Sequence, residues 1–284
     1  MANEITTNTT SLNDLLPSIV QEALFIASER SLMRNLVKNF NMGMGQGKTV
    51  TVPIYSNVTA AGLTEADDMS ATAVSTDGAV LTVSEAGIMA RVSDLSLNAS
   101  ASNVIADLGR LFGEAIARKM DKDLTALFAG FSTVVGGATT TATAAHIFQA
   151  VAKLRAAGVP GSDLFCVLNP LVAYDIKSAL TNTYANPNGG FVQNQAMATG
   201  FIGTIAGVPV YESANVGHTT GDSVGGLFHR DALGLAIMKD ISIELQRDAS
   251  MRATEVVATA QYGVGELVDA YGVAMSFDST LADA

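Results

Sequence analysis

The chain of 284 residues is 48% hydrophobic and only 15% charged, enough to bury a core as one large domain or two modest ones and unlike a disordered or fibrous sequence. Its formal charge of −11, from 27 acids against 16 bases, argues against gripping nucleic acid by broad phosphate neutralisation. Cys166 is the only cysteine, so an intramolecular disulfide and a cysteine-built metal site are excluded.

The imbalance of charge is uneven. Residues 1–162 hold 14 acids and 11 bases, residues 163–284 hold 13 acids and 5 bases, and the two halves are expected to face different surroundings. Small neutral residues recur throughout, as suits a surface covered largely by copies of itself. The first residues lack the basic region and apolar run of a signal peptide. Gly136-Gly137 and the threonines that follow break the uncharged stretch 124–152 before a membrane span accumulates, and no membrane partner is expected.

Along the chain, Pro17 stands where a first helical turn tolerates proline, and short amphipathic stretches around Ile19, Ala23 and Ile26, then Leu32, Leu36 and Phe40, predict an arm with helical pieces. Arg30, Arg34 and Lys38, spaced by four, would form a basic stripe on one helical face. Gly43, Gly45 and Gly47 end the helical pattern, and the alternation from Lys48 to Tyr55 reads as a strand. Residues 63–77 have the acidic, small and polar composition of a loop tip. A second alternating stretch, 79–83 and on through 88–92, completes a long projecting hairpin with no lysine or arginine from Thr49 to Ala90.

Apolar positions from Val104 to Phe128 step by three and four, the strongest helix pattern in the chain. A helix over 102–128 would run roughly 40 Å, with Gly130 as its terminator. After a linker at 132–143, a helix (144–157), a Gly-Val-Pro-Gly turn, a buried strand (164–168) and a second helix (170–180) predict a compact α/β unit. A polar loop at 181–200 leads to a strand pair at 202–211, where Pro209 favours an edge position. The remainder reads as strands at 225–228, 233–238, 241–246, 255–262 and 268–277.

Catalytic and metal-binding patterns fail on inspection. Gly43-Met44-Gly45-Gln46-Gly47-Lys48-Thr49 resembles a phosphate-cradling loop, but Met42 stands where that loop needs glycine, and the order helix then strand is inverted. His218, Asp222 and His229 lie close in sequence, yet loop and strand-end roles account for the histidines. Cys166, among Leu164, Phe165, Val167 and Leu168, is expected to be buried with a raised thiol pKa. Glu65, Asp67 and Asp68 lack the spacing of a calcium loop, so a solvated tip or an acidic contact between subunits is preferred. The residues point to no cofactor and no resident metal, and a small-molecule enzyme would require convergent titratable groups that the sequence does not offer.

The order of elements is similar to that of tailed-phage major capsid proteins of the Hong Kong 97 type. Lys48-Thr49-Val50-Thr51-Val52-Pro53-Ile54, followed by Ala60-Ala61-Gly62-Leu63-Thr64-Glu65, resembles the start of that family's extended loop, and Ala90-Arg91-Val92-Ser93-Asp94-Leu95 its return towards the long helix. Gly207-Val208-Pro209-Val210-Tyr211-Glu212-Ser213 resembles the axial-domain strand, and Gly225-Gly226-Leu227-Phe228-His229-Arg230-Asp231-Ala232-Leu233-Gly234 the crossing back.

The resemblance implies an α+β capsid fold and no catalysis. It comprises an N-terminal arm (1–42), an extended hairpin (43–93), a peripheral domain (94–143 with 235–284) built on the spine helix 102–128, and an axial domain (144–234). It further implies pentamers and hexamers of one chain in an icosahedral virion shell around double-stranded DNA, assembled in the host cytoplasm. A portal would be a partner, and scaffolding or decoration proteins are candidate ones.

Gly43, Gly45 and Gly47 are the candidate hinge of the extended loop. Arg30, Arg34, Lys38, Arg118, Lys119 and Lys122 are candidates for facing the lumen and its DNA, with salt bridges between subunits as the alternative. Some members lock their shells through a lysine in the extended loop. This hairpin has none beyond Lys48, so a shell held by non-covalent contacts is expected. The alternative reading is an encapsulin-like compartment that encloses cargo proteins.

Overall fold

The computed structural model describes residues 32–43, 45, 47–55, 60, 62, 65, 68, 71, 73, 74, 76–100, 104–183, 203–219 and 221–281. In chain order these form α1 (Met33–Leu36), β1 (Lys38–Asn41), β2 (Thr49–Tyr55), β3 (Thr76–Thr82), β4 (Ser84–Ser93), α2 (Asp94–Ala99), α3 (Val104–Ala126), β5 (Val134–Thr141), α4 (Ala144–Ala156), β6 (Leu164–Leu168) and α5 (Pro170–Thr183). There follow β7 (Thr204–Ile205), β8 (Val208–Glu212), β9 (His218–Thr219), β10 (Asp222–His229), β11 (Leu233–Asp248), β12 (Ala253–Glu266) and β13 (Gly272–Asp278).

The rod at the centre is α3, about 35 Å long at 1.5 Å per residue, and a 3₁₀ turn over Leu127–Gly130 ends it at the expected glycine. Phe112, Ile116, Met120, Leu124 and Phe128, four residues apart, are buried along it. They pack on a four-stranded sheet of order β1-β11-β12-β4, in which β12 turns Val256, Ala258, Ala260 and Tyr262 towards the helix at the strand period of two. At the far end of the rod, Phe128 meets Phe228 at 5.4 Å and Phe131 at 6.4 Å between ring centroids. Phe228 belongs to the second sheet, so this aromatic knot joins the two halves of the subunit. Each ring buried there contributes about 1.5–3 kcal/mol.

The second sheet runs β5-β13-β10-β6-β8-β7, with β9 paired to β10. Ile147, Ala150, Val151 and Leu154 of α4 join Val172, Ala173 and Ile176 of α5 in its core, each set on one face at helical spacing. Thr143 and His146 cap α4 reciprocally.

Several expectations need correction. The linker at 132–143 contains β5, which pairs in parallel with β13, because Val134, Val135 and the β-branched Thr139–Thr141 suit a strand and outweigh the Gly136-Gly137 interruption. The helical arm ends at Leu36, and Lys38–Asn41 pairs in parallel with Gly234–Ile237. Asn39, Phe40 and Asn41 are weak helix formers, and a sheet edge offers their amides partners. The strands expected at 233–238 and 241–246 are one strand, with a register irregularity between Ile237 and Ser242. The strand expected from 268 begins at Gly272, after a 3₁₀ turn over Asp269–Tyr271. The helix expected over 170–180 runs on to Thr183, into the loop expected at 181–200; the rest of that loop and the early helices around residues 19–26 lie outside the described residues.

The hairpin is the ladder β2–β3, register Thr49↔Thr82 to Tyr55↔Thr76. β4 then turns away and pairs with β12 along its whole length. Leu81, fully buried with Met42, Val83, Ala236 and Leu267, pins the ladder's base to the sheet. Two glycines of β12 make this crossing possible. A Cβ on Gly263 would lie 2.3 Å from the Thr82 carbonyl oxygen, and one on Gly265 would lie 2.6 Å from a Leu81 methyl. Gly263→Ala should therefore push the hairpin base off the sheet and lower stability by about 1–3 kcal/mol, measured by urea unfolding. Unchanged stability together with unchanged protease resistance of the hairpin would contradict this anchoring.

Candidate assembly surface

Alternation along β2 and β3 gives the hairpin two unlike faces. Val50, Val52 and Ile54 lie opposite Leu81, Ala79 and Asp77 on the face that leads into the core. The other face carries Thr49, Thr51, Pro53 and Tyr55 opposite Thr82, Val80, Gly78 and Thr76, and every one of these is exposed. No charge interrupts it, and Tyr55 and Val80 stand 68% and 58% open to solvent. A two-stranded ribbon is marginal alone, and an uncharged face of this kind marks a contact surface. Reading the sequence as alternation found the strands; it did not separate the two faces, because Thr, Pro and Tyr carry no strong hydropathy signal.

The expected hinge lies at the foot of this ribbon. Gly45 and Gly47 adopt φ of +90° and +86° with open space around them, a left-handed backbone that side chains resist, so these two positions require glycine. Gly43 has no such φ. At the tip, Glu65 and Asp68 are exposed, while Asp67 lies outside the described residues.

The six expected lumen-facing bases do not form one set. Arg30 lies outside the described residues. Arg34 makes a two-pronged contact with Asp240, at 2.8 and 3.3 Å, and its hydrogen bond holds the Asp240 carboxyl below the usual range against the opposing effect of partial burial. Lys38 pairs with Asp231 at 2.8 Å and Lys119 with Asp123 at 2.7 Å. The three-residue stripe on one helical face therefore does not form. α1 stops after Arg34, and Lys38 sits in a strand. Arg118 and Lys122 remain exposed on the outer side of α3, with no ion-pair partner among the described residues. Sequence reading missed Asp231 and Asp240 as partners because both are more than 190 residues away from the bases they neutralise.

A family model described as phage capsid protein matches residues 78–276, well over half of the chain. The chain belongs to the phage capsid protein family. No curated protein sequence matches it. Among solved structures, it is similar to the capsid protein of cyanophage P-SCSP1u, at 15% identity and a TM-score of 0.69 over 88% of each chain. A chain of Microbacterium phage Oxtober96 also has a TM-score of 0.69 at 15% identity, over 94% of this chain and 98% of that one. The holo-SrpI encapsulin of Synechococcus elongatus PCC 7942 is similar at 14% identity and a TM-score of 0.65, over 91% of each chain. At these identities the likeness concerns fold, which is of the Hong Kong 97 type. As a major capsid protein of the tailed-phage kind, the chain has a structural rather than a catalytic role.

The polar groups inside the capsid subunit serve its architecture. Burial pushes the Cys166 thiol up to about 12, which removes it as a nucleophile. His229, at the end of β10, accepts the Asp231 amide at 3.2 Å and packs edge-on to Tyr271. His146 caps α4, and its ring lies 5.1 Å from that of Phe277. The buried Asp121 accepts the Leu32 amide at 2.8 Å and ties the chain before α1 to the rod. Tyr262 donates to Asp123 at 2.7 Å, and burial with that hydrogen bond raises the phenol pKa.

One pair of carboxyls is arranged against its own charge. Burial, the neighbouring Asp269 charge and a hydrogen bond to it raise Glu266 above its ordinary 4.5. Burial pushes Asp269 up as well, but bonds from the Ser132 side chain, the Ser132 amide at 2.8 Å and Glu266 outweigh it and lower the pKa. A protonated Glu266 donating to an ionised Asp269 satisfies both. Because the folded value of Glu266 is raised, its contribution to stability is complete below 4.5 and is lost as pH rises through the folded value. Glu266→Gln keeps the donor and has no proton to lose. Melting curves from about pH 4 to about pH 8 should therefore show the variant gaining on the wild type as pH rises. Parallel pH profiles would contradict the shared proton.

Proposed function

We propose that this subunit assembles with copies of itself into the pentamers and hexamers of an icosahedral head. The head is built in the host cytoplasm, encloses double-stranded DNA without sequence preference, and is joined by a portal and, where present, by scaffolding or decoration proteins. The exposed, uncharged face of the β2–β3 hairpin carries this reading. It buries no core of its own subunit, and a neighbouring copy is the surface that completes it. Glycine at Gly45 and Gly47 lets the ribbon change angle between five-fold and six-fold surroundings. The hairpin has no lysine beyond Lys48 to supply a covalent lock, so the contacts are non-covalent.

A second reading, a compartment shell that encloses cargo proteins, is favoured by the likeness to the holo-SrpI encapsulin. The family match stands with the phage capsids. Electron microscopy of the recombinant chain is expected to show closed shells. Particles purified from host lysate should have a nucleic-acid absorbance ratio and run as a single monomer band on a denaturing gel. A species that stays monomeric at high concentration would overturn the shell, a protein-like absorbance ratio would favour the compartment, and a ladder of linked subunits would overturn the non-covalent contacts.

A further inference from the structure

We propose that the junction between the two halves of the subunit is a catch closed by one proton held between Glu266 and Asp269, and that losing this proton lets the halves shift against each other. The described chain passes between the first sheet with its rod and the second sheet three times: at 131–133 after α3, at 230–232 between β10 and β11, and at 267–271 between β12 and β13. These crossings meet in one place. The amides of Leu267 and Val268 donate to the Ala232 carbonyl at 2.8 and 3.3 Å, and the Ala274 amide donates to the Thr133 carbonyl at 2.8 Å. Phe131 fills the space left by Gly272, where a Cβ would stand 2.1 Å from its ring.

The carboxyl pair sits across this meeting point. Asp269 accepts the Ser132 amide at 2.8 Å and the Ser132 hydroxyl, which ties the exit of the rod to the turn before β13. Glu266 reaches over Gly130, its Oε2 3.3 Å from where a Cβ on that residue would be, and is hydrogen-bonded to Asp269. Two carboxyls in contact hold together with one proton between them and repel without it. The aromatic knot beside them is apolar and non-directional, so it keeps the halves in contact without fixing their angle. Of the charged groups on the elements packed around the pair, Lys38 is joined to Asp231 at 2.8 Å, and Arg230 is exposed. His229 accepts the Asp231 amide, lies 3.7 Å from an Asp231 carboxylate oxygen and packs on Tyr271. In the closed catch Glu266 keeps its proton above its ordinary 4.5, and in the open one it does not. Opening then releases a proton, so its equilibrium constant rises by up to about ten-fold per pH unit from 4.5 to the raised value and is level beyond it.

Amide hydrogen exchange of the full chain from about pH 5 to about pH 8, corrected for the intrinsic pH dependence of exchange, reads the catch at Ser132, Leu267 and Ala274. Opening at these amides is expected to grow as pH rises, while the amides of 147–154 in α4, inside the second half, stay unchanged. Glu266→Gln keeps the donor and leaves His229 in place, and it should remove the dependence at all three amides. If that variant fails to fold, Asp269→Asn, which still accepts the Ser132 amide, should weaken the dependence. A wild type whose opening does not grow with pH overturns the proposal. So does a dependence that persists unchanged in the variant, which would belong to His229 or another group. An equal change in α4 also overturns it, because the whole subunit would then be loosening. Each outcome is read on the subunit, so none bears on whether the chain builds a shell.

Discussion

A two-stranded ladder buries at most one of its faces against its own subunit, and the rest of this structure depends on that limit. In the β2–β3 hairpin the inner face ends in Leu81, locked into the sheet, whereas the outer face from Thr49 to Tyr55 and Thr76 to Thr82 is exposed and uncharged throughout. The subunit is stable as drawn because its cores lie elsewhere, along α3 and within the second sheet. On the proposed assembly, the hairpin gains its stability when a neighbouring surface closes over it, and folding and assembly are then separate steps.

The rod and its aromatic end give the hairpin a firm base. α3 lies across one sheet, and Phe128 reaches Phe228 of the other, so the two halves share one continuous apolar contact. Ion pairs reinforce the same frame across long sequence separations. Arg34 joins Asp240, Lys38 joins Asp231, and Arg247 grips Asp94 through both guanidinium nitrogens. These exposed pairs contribute little individually. Their effect is to neutralise bases that otherwise stand ready for an outside partner.

Local periodicity made much of this legible in the sequence. The apolar steps of three and four from Val104 to Phe128 announced the rod, alternation announced both strands of the hairpin, and the unit from α4 to α5 followed from its Gly-Val-Pro-Gly turn and the apolar run after it. What escaped were features set by distant chain. β5 is a strand because β13 lies beside it, and Lys38–Asn41 is a strand because Gly234–Ile237 offers an edge. Nothing in the sequence around Gly263 and Gly265 marks them as the space in which the hairpin crosses, since the atoms that require it belong to Leu81 and Thr82. The basic stripe failed for the same reason. Spacing by four places charges on one face only where the helix continues, and here the helix gives way to a strand.

Amide hydrogen exchange across β2 and β3, compared between the isolated subunit and the assembled particle, addresses the dependence on a neighbour most directly. Exchange in 49–55 and 76–80 is expected to be fast in the subunit, where only the ladder protects it, and to slow by orders of magnitude in the particle, while Leu81 and the strands around it stay protected in both. Equal and slow exchange in the two states would show that the hairpin is complete by itself, and the account of an open face awaiting a second copy would be wrong.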